Sequence, residues 1–208
     1  MNFRLAAIVC LMMFALGCAR EAPPSGPQLG EAVMPFTSNV VCGPNRGMQH
    51  CFVCDTRPGD PGLVVFLRTP DSTARAFLDV FRQQTAGLIK DKKMVPWVVF
   101  LGEPGTKAEL DLERQVEDFA RASALTQMNI TVLGDPAGPP GYRVSPEAAA
   151  TFVVFKDNKA IYNKAFTASG WSKSAGEKTM ADVTALLNKE PAPAAASAAP
   201  KGPEAATR

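Results

Sequence analysis

Two continuous apolar runs, and the segment between them, set the pattern of the first half of the chain. Residues 63–67 (LVVFL) and 95–101 (VPWVVFL) are rich in β-branched and aromatic side chains, as strands buried on both faces are. Asp71 and Ser72 are N-cap residues just after the first run, and apolar positions recur at helical spacing from there to about Ile89. The pattern predicts a strand, a helix and a second buried strand.

The second half of the chain continues this alternation and then forms a hairpin. Thr106 and Glu109 have the spacing of a capping box, which predicts the start of a helix that extends to about residue 125. Asp157-Asn158 is a tight-turn dipeptide between two β-rich runs. The remaining predicted elements are a short strand at 130–133, hairpin strands at 151–155 and 160–166, and a last helix at 178–187.

Strands separated by helices imply right-handed crossovers and parallel pairing, to which a hairpin adds antiparallel edge strands. This order resembles the thioredoxin fold, and four short phrases resemble its redoxin group, the peroxiredoxins and thiol-disulfide oxidoreductases. The phrases are Leu29-Gly30-Glu31 with Pro35-Phe36, the turn at Asp135, Gly141-Tyr142-Arg143-Val144, and Ala150-Thr151 before a strand. The resemblance covers about residues 30–187. It implies an α/β, thioredoxin-like three-layer sandwich with a mixed central sheet, a C-terminal β-hairpin and helix, and an N-terminal β extension.

Composition and charge narrow the class of protein. A chain of 208 residues with 46% apolar content is sufficient for one sizeable core, so we expect one domain. The formal net charge is +2, and no run of basic residues is interleaved with aromatic ones. Nucleic-acid binding is therefore not expected.

The N-terminus has the pattern of an export signal. Arg4 precedes an apolar run over residues 5–16, which is short for a membrane span and suits a signal-peptide core. Ala15-Leu16-Gly17 suits ordinary secretory cleavage before Cys18, and the same residues resemble a bacterial lipobox in which Cys18 carries lipid. The lipobox leucine is replaced by Ala15 at −3. We expect a periplasmic or cell-envelope protein, attached to the membrane through a lipid at Cys18.

Four regions follow from this pattern. We predict a signal peptide at 1–17, a flexible Pro/Gly-rich tether at 18–29 and a thioredoxin-like domain at 30–189. Residues 190–208 form a Pro/Ala-rich tail without large apolar side chains, which predicts disorder.

The candidate chemistry lies in the stretch His50-Cys51-Phe52-Val53-Cys54, with Cys42 eight residues before His50. Redoxins place their reactive cysteine after the first core strand, where the helix N-terminus stabilises a thiolate. Here that junction holds Thr69 and Ser72, and a serine hydroxyl cannot pass through the sulfenic-acid cycle. Ala150 stands where the fold has its proline. The usual mechanism, peroxidase chemistry included, is therefore not expected, and the cysteines form a displaced site.

The first hypothesis is that Cys51 and Cys54 exchange disulfides with another thiol/disulfide protein, or sense redox state. His50 and Arg46 would favour the thiolate. We expect Cys51 to be the attacking thiol, because the first cysteine of such pairs is usually the more exposed. Cys42 would resolve or stabilise the mixed disulfide.

The alternative hypothesis is a non-catalytic binding module. Its cysteines would form a structural disulfide, either Cys51–Cys54 or one that includes Cys42. Cys42, His50, Cys51 and Cys54 could also bind zinc or copper(I), although adjacent His50 and Cys51 would strain such a site. No cofactor is otherwise expected, because Asp55 stands where haem attachment needs a histidine.

Overall fold

The computed structural model describes residues 22–125 and 128–189. The predicted signal peptide, the lipidation candidate Cys18 and the tail at 190–208 lie outside these residues. In chain order the elements are β1 (Ser38–Cys42), β2 (Gln49–His50), α1 (Phe52–Asp55), β3 (Pro61–Leu67), α2 (Ser72–Lys92), β4 (Val95–Leu101), α3 (Thr106–Ala122), β5 (Ile130–Leu133), β6 (Ala148–Lys156), β7 (Lys159–Thr167) and α4 (Lys173–Lys189).

One mixed sheet of seven strands has the order β2-β1-β5-β4-β3-β6-β7. Strands β3, β4 and β5 pair in parallel, while β6 pairs antiparallel with β3 and with β7. The predicted core order is confirmed, including the hairpin turn at Asp157 and Asn158, which have φ of 50° and 58°. The β1–β2 hairpin forms the predicted N-terminal β extension.

The three long helices all pack on one face of the sheet. The chain moves from β3 to β4 to β5 in one direction across the sheet, and right-handed crossovers in one direction place their helices on one face. Phe77 of α2, Phe119 of α3 and Met180 of α4 accordingly belong to the same buried cluster, which we call the helix-side core.

The ends of the long helices are set by local hydrogen bonds. The Asp71 carboxylate accepts the N–H of Ala74 at 2.8 Å and caps α2 as predicted. The capping box predicted for α3 is wrong in detail, because Gly105 is the N-cap residue. The Glu109 carboxylate instead accepts a hydrogen bond from Asn39 Nδ2 at 3.0 Å, which joins α3 to β1.

The opposite face of the sheet carries a second buried cluster, which we call the aromatic core. Its central residue is Trp97, which is fully buried, as the sequence predicted. The ring centroids of Phe36, Phe52 and Phe155 lie 5.6–6.2 Å from that of Trp97. The ring of Phe66 lies 6.2 Å from that of Phe36. These four residues come from a loop, from strands and from α1. No residue of a long helix is among the described members of this core, so loops and the single turn of α1 form the third layer.

The N-terminal segment is part of this layer. The Ser25 and Thr151 hydroxyls are hydrogen-bonded at 2.7 Å and both residues are buried. Asn163 Nδ2 donates to the carbonyls of Ser25 and Pro27, each at 2.8 Å. Ser25 and Pro27, which lie in the stretch 18–29 predicted as a tether, thus form hydrogen bonds with side chains of β6 and β7.

None of the helices within residues 22–125 and 128–189 combines the length and the apolar character that a membrane span requires.

Candidate functional site

The cysteine pair lies on α1, a single helical turn between the sheet edge and β3. Cys51 is the N-cap residue, and Cys54 is bonded to it through a disulfide with a Cα–Cα distance of 5.3 Å. The N–H of Cys54 lies 3.1 Å from the Cys51 carbonyl oxygen and 3.2 Å from Cys51 Sγ. The turn therefore holds one backbone donor against the sulfur of Cys51.

The two residues between the cysteines fix this turn on the sheet. Phe52 and Val53 are each 3% exposed and belong to the aromatic core. The Phe52 ring stacks on Trp97 with a centroid distance of 5.6 Å. Burial of a large aromatic side chain contributes roughly 2–3 kcal/mol, so the position of the disulfide is set by the packing of its own middle residues.

The two sulfurs differ in their surroundings. Cys54 is exposed, while Cys51 is half-buried and packs against the aromatic core. The expectation that Cys51 is the more exposed cysteine is wrong. Its physical reason is that Cys51 precedes the buried Phe52 at the start of the turn, whereas Cys54 lies after the buried pair, at the solvent side.

His50 and Asp55 flank the cysteine pair in sequence, and their side chains are in contact. His50 Nε2 lies 2.6 Å from Asp55 Oδ2, and the imidazole ring stands edge-on to Phe52 at 4.6 Å. The neighbours in sequence that His50 contacts are thus Asp55 and Phe52. Asp55 was missed as a site residue, although it directly follows Cys54.

Cys42 lies on the other face of the sheet. It is 5% exposed, belongs to the helix-side core, and its thiol donates to the Leu125 carbonyl at 3.4 Å. Burial raises the pKa of this thiol. It is a free cysteine, so the structure does not bring Cys42 together with the pair as a resolving or bridging partner.

The four ligands of the predicted metal site are likewise not brought together. Cys42 is separated from His50, Cys51 and Cys54 by the sheet, and Cys51 and Cys54 are bonded to each other. Within the described part of the chain, no group of three or more His, Cys, Asp or Glu residues is arranged to hold a metal ion.

Arg46 points away from the pair as well. Its guanidinium forms an ion pair with Glu117 of α3, whose carboxylate also binds Arg121 at 2.9 Å. These three charges and Cys42 line a cavity of about 220 Å³. The contact that the structure gives Arg46 therefore lies on the α3 side, not at Cys51 or Cys54.

The position where redoxins carry their reactive cysteine holds no cysteine, as the sequence predicted. Ser72 is the first residue of α2, directly after the Asp71 cap, and Ala150 pairs with Leu67 at the end of β3. The disulfide lies on the opposite face of the sheet from α2. Residues 56–58, which follow the disulfide, line a cavity of about 240 Å³ together with the Asp157–Asn158 turn. That turn comes directly after Lys156, which pairs with Pro61 at the start of β3.

The cysteine pair is thus displaced from the redoxin position. It is on the other face of the sheet from α2, since Phe52 packs on Trp97 while Phe77 packs on Phe152. The prediction of a site away from the α2 N-terminus is confirmed in its location.

No protein-family model matches the sequence, and no curated protein matches it either. Solved structures do match. The chain is similar to a candidate protein disulfide isomerase from Bacteroides thetaiotaomicron, with a TM-score of 0.58 and 13% identity over 80% of this chain and 96% of that chain. It is also similar to Peroxidoxin BcpB from Mycobacterium tuberculosis, with a TM-score of 0.52 and 13% identity over 77% of this chain and 98% of that one.

A third similar structure is a candidate thiol:disulfide interchange protein, DsbE, from Chlorobium tepidum. Its TM-score is 0.52, at 11% identity over 77% of this chain and 99% of that chain. At these identities the likeness concerns the fold, which is thioredoxin-like, as the sequence resemblance implied. What the displaced pair does has to be argued from its own geometry.

Proposed function

We propose that this protein is an exported, thioredoxin-like protein that exchanges disulfides with a thiol protein through Cys51 and Cys54. The observation that carries the proposal is a disulfide between cysteines with two residues between them, in which Cys54 is exposed to solvent and the sulfur of Cys51 lies against a backbone N–H. Exchange needs an accessible sulfur for attack and a second sulfur that can leave as a thiolate.

The small size of the ring argues against a purely structural role. Chain-entropy arguments give a disulfide that closes a loop of this length about 2 kcal/mol of stabilisation, because the unfolded chain loses little freedom. Phe52 and Val53 already anchor the turn by burial. A bridge that adds little to stability can be opened and closed without loss of the fold, which is what an exchanging pair requires.

Export to the periplasm or cell envelope is part of the same proposal. It is supported by the signal-like residues 1–17 and by the disulfide, which is typical of oxidising compartments. Cys18 would then carry the lipid that attaches the protein to the membrane. Mass spectrometry of the mature protein tests this part separately: a diacylglycerol adduct on Cys18 is expected.

The reduction potential of the pair tests the proposed exchange. The purified protein is equilibrated with glutathione and dithiothreitol redox buffers, quenched with acid, alkylated and weighed. A working pair should be half-reduced well above about −300 mV, which is roughly the upper limit for structural disulfides in secreted proteins. A pair that stays bridged below that potential would assign the chain to the alternative class, a binding module with a structural disulfide.

A further inference from the structure

The geometry of α1 assigns different roles to the two sulfurs. We propose that the partner thiolate attacks Cys54, and that Cys51 is the sulfur that leaves as a thiolate. This order is the reverse of the one expected from the sequence, and it rests on the proposed exchange function.

The two cysteines differ in how easily a partner thiolate can reach them. Attack on a disulfide requires the incoming thiolate to reach one sulfur. Cys54 is exposed after the buried pair Phe52-Val53. Cys51 is half-buried between the end of β2 and the aromatic core, so a protein-sized partner meets Cys54 first.

The two cysteines also differ in how well their sulfur is stabilised as a leaving thiolate. When Cys54 is attacked, negative charge develops on Cys51, and a thiolate leaves faster when it is stabilised. The N–H of Cys54 is already placed 3.2 Å from Cys51 Sγ, so a donor is in position for that charge. Among the described contacts, no backbone N–H is placed in the same way against the Sγ atom of Cys54.

The two steps give a balanced reaction. The partner thiolate forms a bond to Cys54 Sγ, the Cys51–Cys54 bond breaks, and its electron pair leaves on Cys51. A second thiolate of the partner then attacks the partner sulfur of the mixed disulfide, and Cys54 leaves as a thiolate. The partner dithiol is oxidised to a disulfide, the protein pair is reduced, and the two protons that the partner loses balance the two that the protein's thiolates take up.

Mapping of the mixed disulfide tests the order directly. The oxidised full-length protein is given a brief pulse of glutathione, quenched with acid and digested, and glutathione adducts are assigned to each cysteine by mass spectrometry. We expect glutathione on Cys54 to exceed that on Cys51 by about tenfold or more. An excess on Cys51 would overturn the proposed order.

Variants that keep one cysteine of the pair give a second measurement, in which the remaining thiol is the attacking group. Cys51→Ser keeps Cys54 and should accumulate a mixed disulfide with glutathione disulfide about tenfold faster than Cys54→Ser. Cys42→Ala, on the other face, is the control and should react as the parent protein does. Circular dichroism confirms that each variant is folded. Equal rates in both variants would contradict the proposal.

These outcomes separate the two proposals. If Cys51 carries the glutathione, the order is wrong and exchange through the pair stands. If neither cysteine forms an adduct and the pair remains bridged below about −300 mV, the exchange function itself fails, and the order with it.

Discussion

At the scale of single residues, the cysteines differ through their surroundings. Cys42 is enclosed by the helix-side core, which disfavours its thiolate and raises its pKa, while Cys54 faces water. The same side chain is therefore inert in one place and a candidate for exchange in the other.

Cys42 should consequently be protected from alkylation. After reduction, N-ethylmaleimide should modify Cys54 completely while Cys42 is still unmodified, because maleimides react with accessible thiolates. Peptide mapping by mass spectrometry measures this, and denaturant should make Cys42 react as fast as the others. Equal modification of Cys42 and Cys54 in the folded protein would contradict its assignment to the core.

The raised pKa of Cys42 also gives a pH dependence of stability. The neutral thiol is favoured in the folded state, so its contribution is complete below the unfolded value of about 8.5 and is lost as the pH rises through the folded pKa. Denaturant midpoints at neutral and alkaline pH measure it. Relative to Cys42→Ala, the parent should lose more stability at alkaline pH; an equal loss would contradict this.

Asp55 should lower the reduction potential of the pair. Asp55 directly follows Cys54, so its negative charge disfavours thiolates in the turn, and the contact of its carboxylate with His50 keeps both ends of the turn together. Both effects favour the disulfide. Asp55→Asn should therefore raise the potential, by up to about 30 mV, which is a tenfold change in the equilibrium. The control is Asp91→Asn at the end of α2, which should leave the potential unchanged. A lower potential in Asp55→Asn would contradict this role.

The sequence located the pair but not the difference between its sulfurs. The position of Cys51 and Cys54 relative to the strands follows from the apolar runs, which are local in sequence. Which sulfur is exposed depends on the packing of Phe52 on Trp97, a contact across 45 residues that no local pattern encodes. The His50–Asp55 contact spans only five residues, but it depends on the turn conformation of α1 between them.

At the scale of elements, the aromatic core depends on one glycine of β3. An added Cβ at Gly62 would lie 2.1 Å from Cζ of Phe155, whose ring contacts Trp97, the residue under Phe52. A side chain at Gly62 would therefore displace the rings on which α1 rests.

Two glycine substitutions should give opposite results. Gly62→Ala should destabilise the protein by about 1–3 kcal/mol or more through overpacking. Gly87→Ala on α2, where nothing lies within 4 Å of an added Cβ, should stabilise it by up to about 1 kcal/mol. Urea unfolding measures both free energies. A neutral or stabilising effect of Gly62→Ala would contradict the constraint by Phe155.

A clear apolar pattern within the element decided what could be predicted from the sequence. Strands β3, β4 and β5 and the helices α2 and α3 have such a pattern, and β4 and β5 have the predicted bounds. The strands β1 and β2 and the turn α1 have five, two and four residues. Their positions depend on distant contacts, such as the hydrogen bonds of Asn39 to Glu109 and Glu113.

At the scale of the whole molecule, the packing of every long helix on one face leaves the other face to loops and α1. The helix-side core contains most of the buried apolar side chains, so it carries most of the hydrophobic stability. The disulfide is thus placed where local rearrangement disturbs few of the contacts that hold the sheet and helices together.

Reduction should therefore lower the melting temperature without unfolding the protein. A loss of about 2 kcal/mol corresponds to roughly 4–8 °C for a chain of this size. Differential scanning fluorimetry with and without a phosphine reductant measures the shift, and circular dichroism shows whether the fold is retained. The double variant Cys51→Ala/Cys54→Ala is the matched control, because its melting temperature should not respond to the reductant. If reduction instead unfolded the parent at room temperature, the bridge would be a structural necessity, and a pair that opens and closes in each cycle could not operate in this fold.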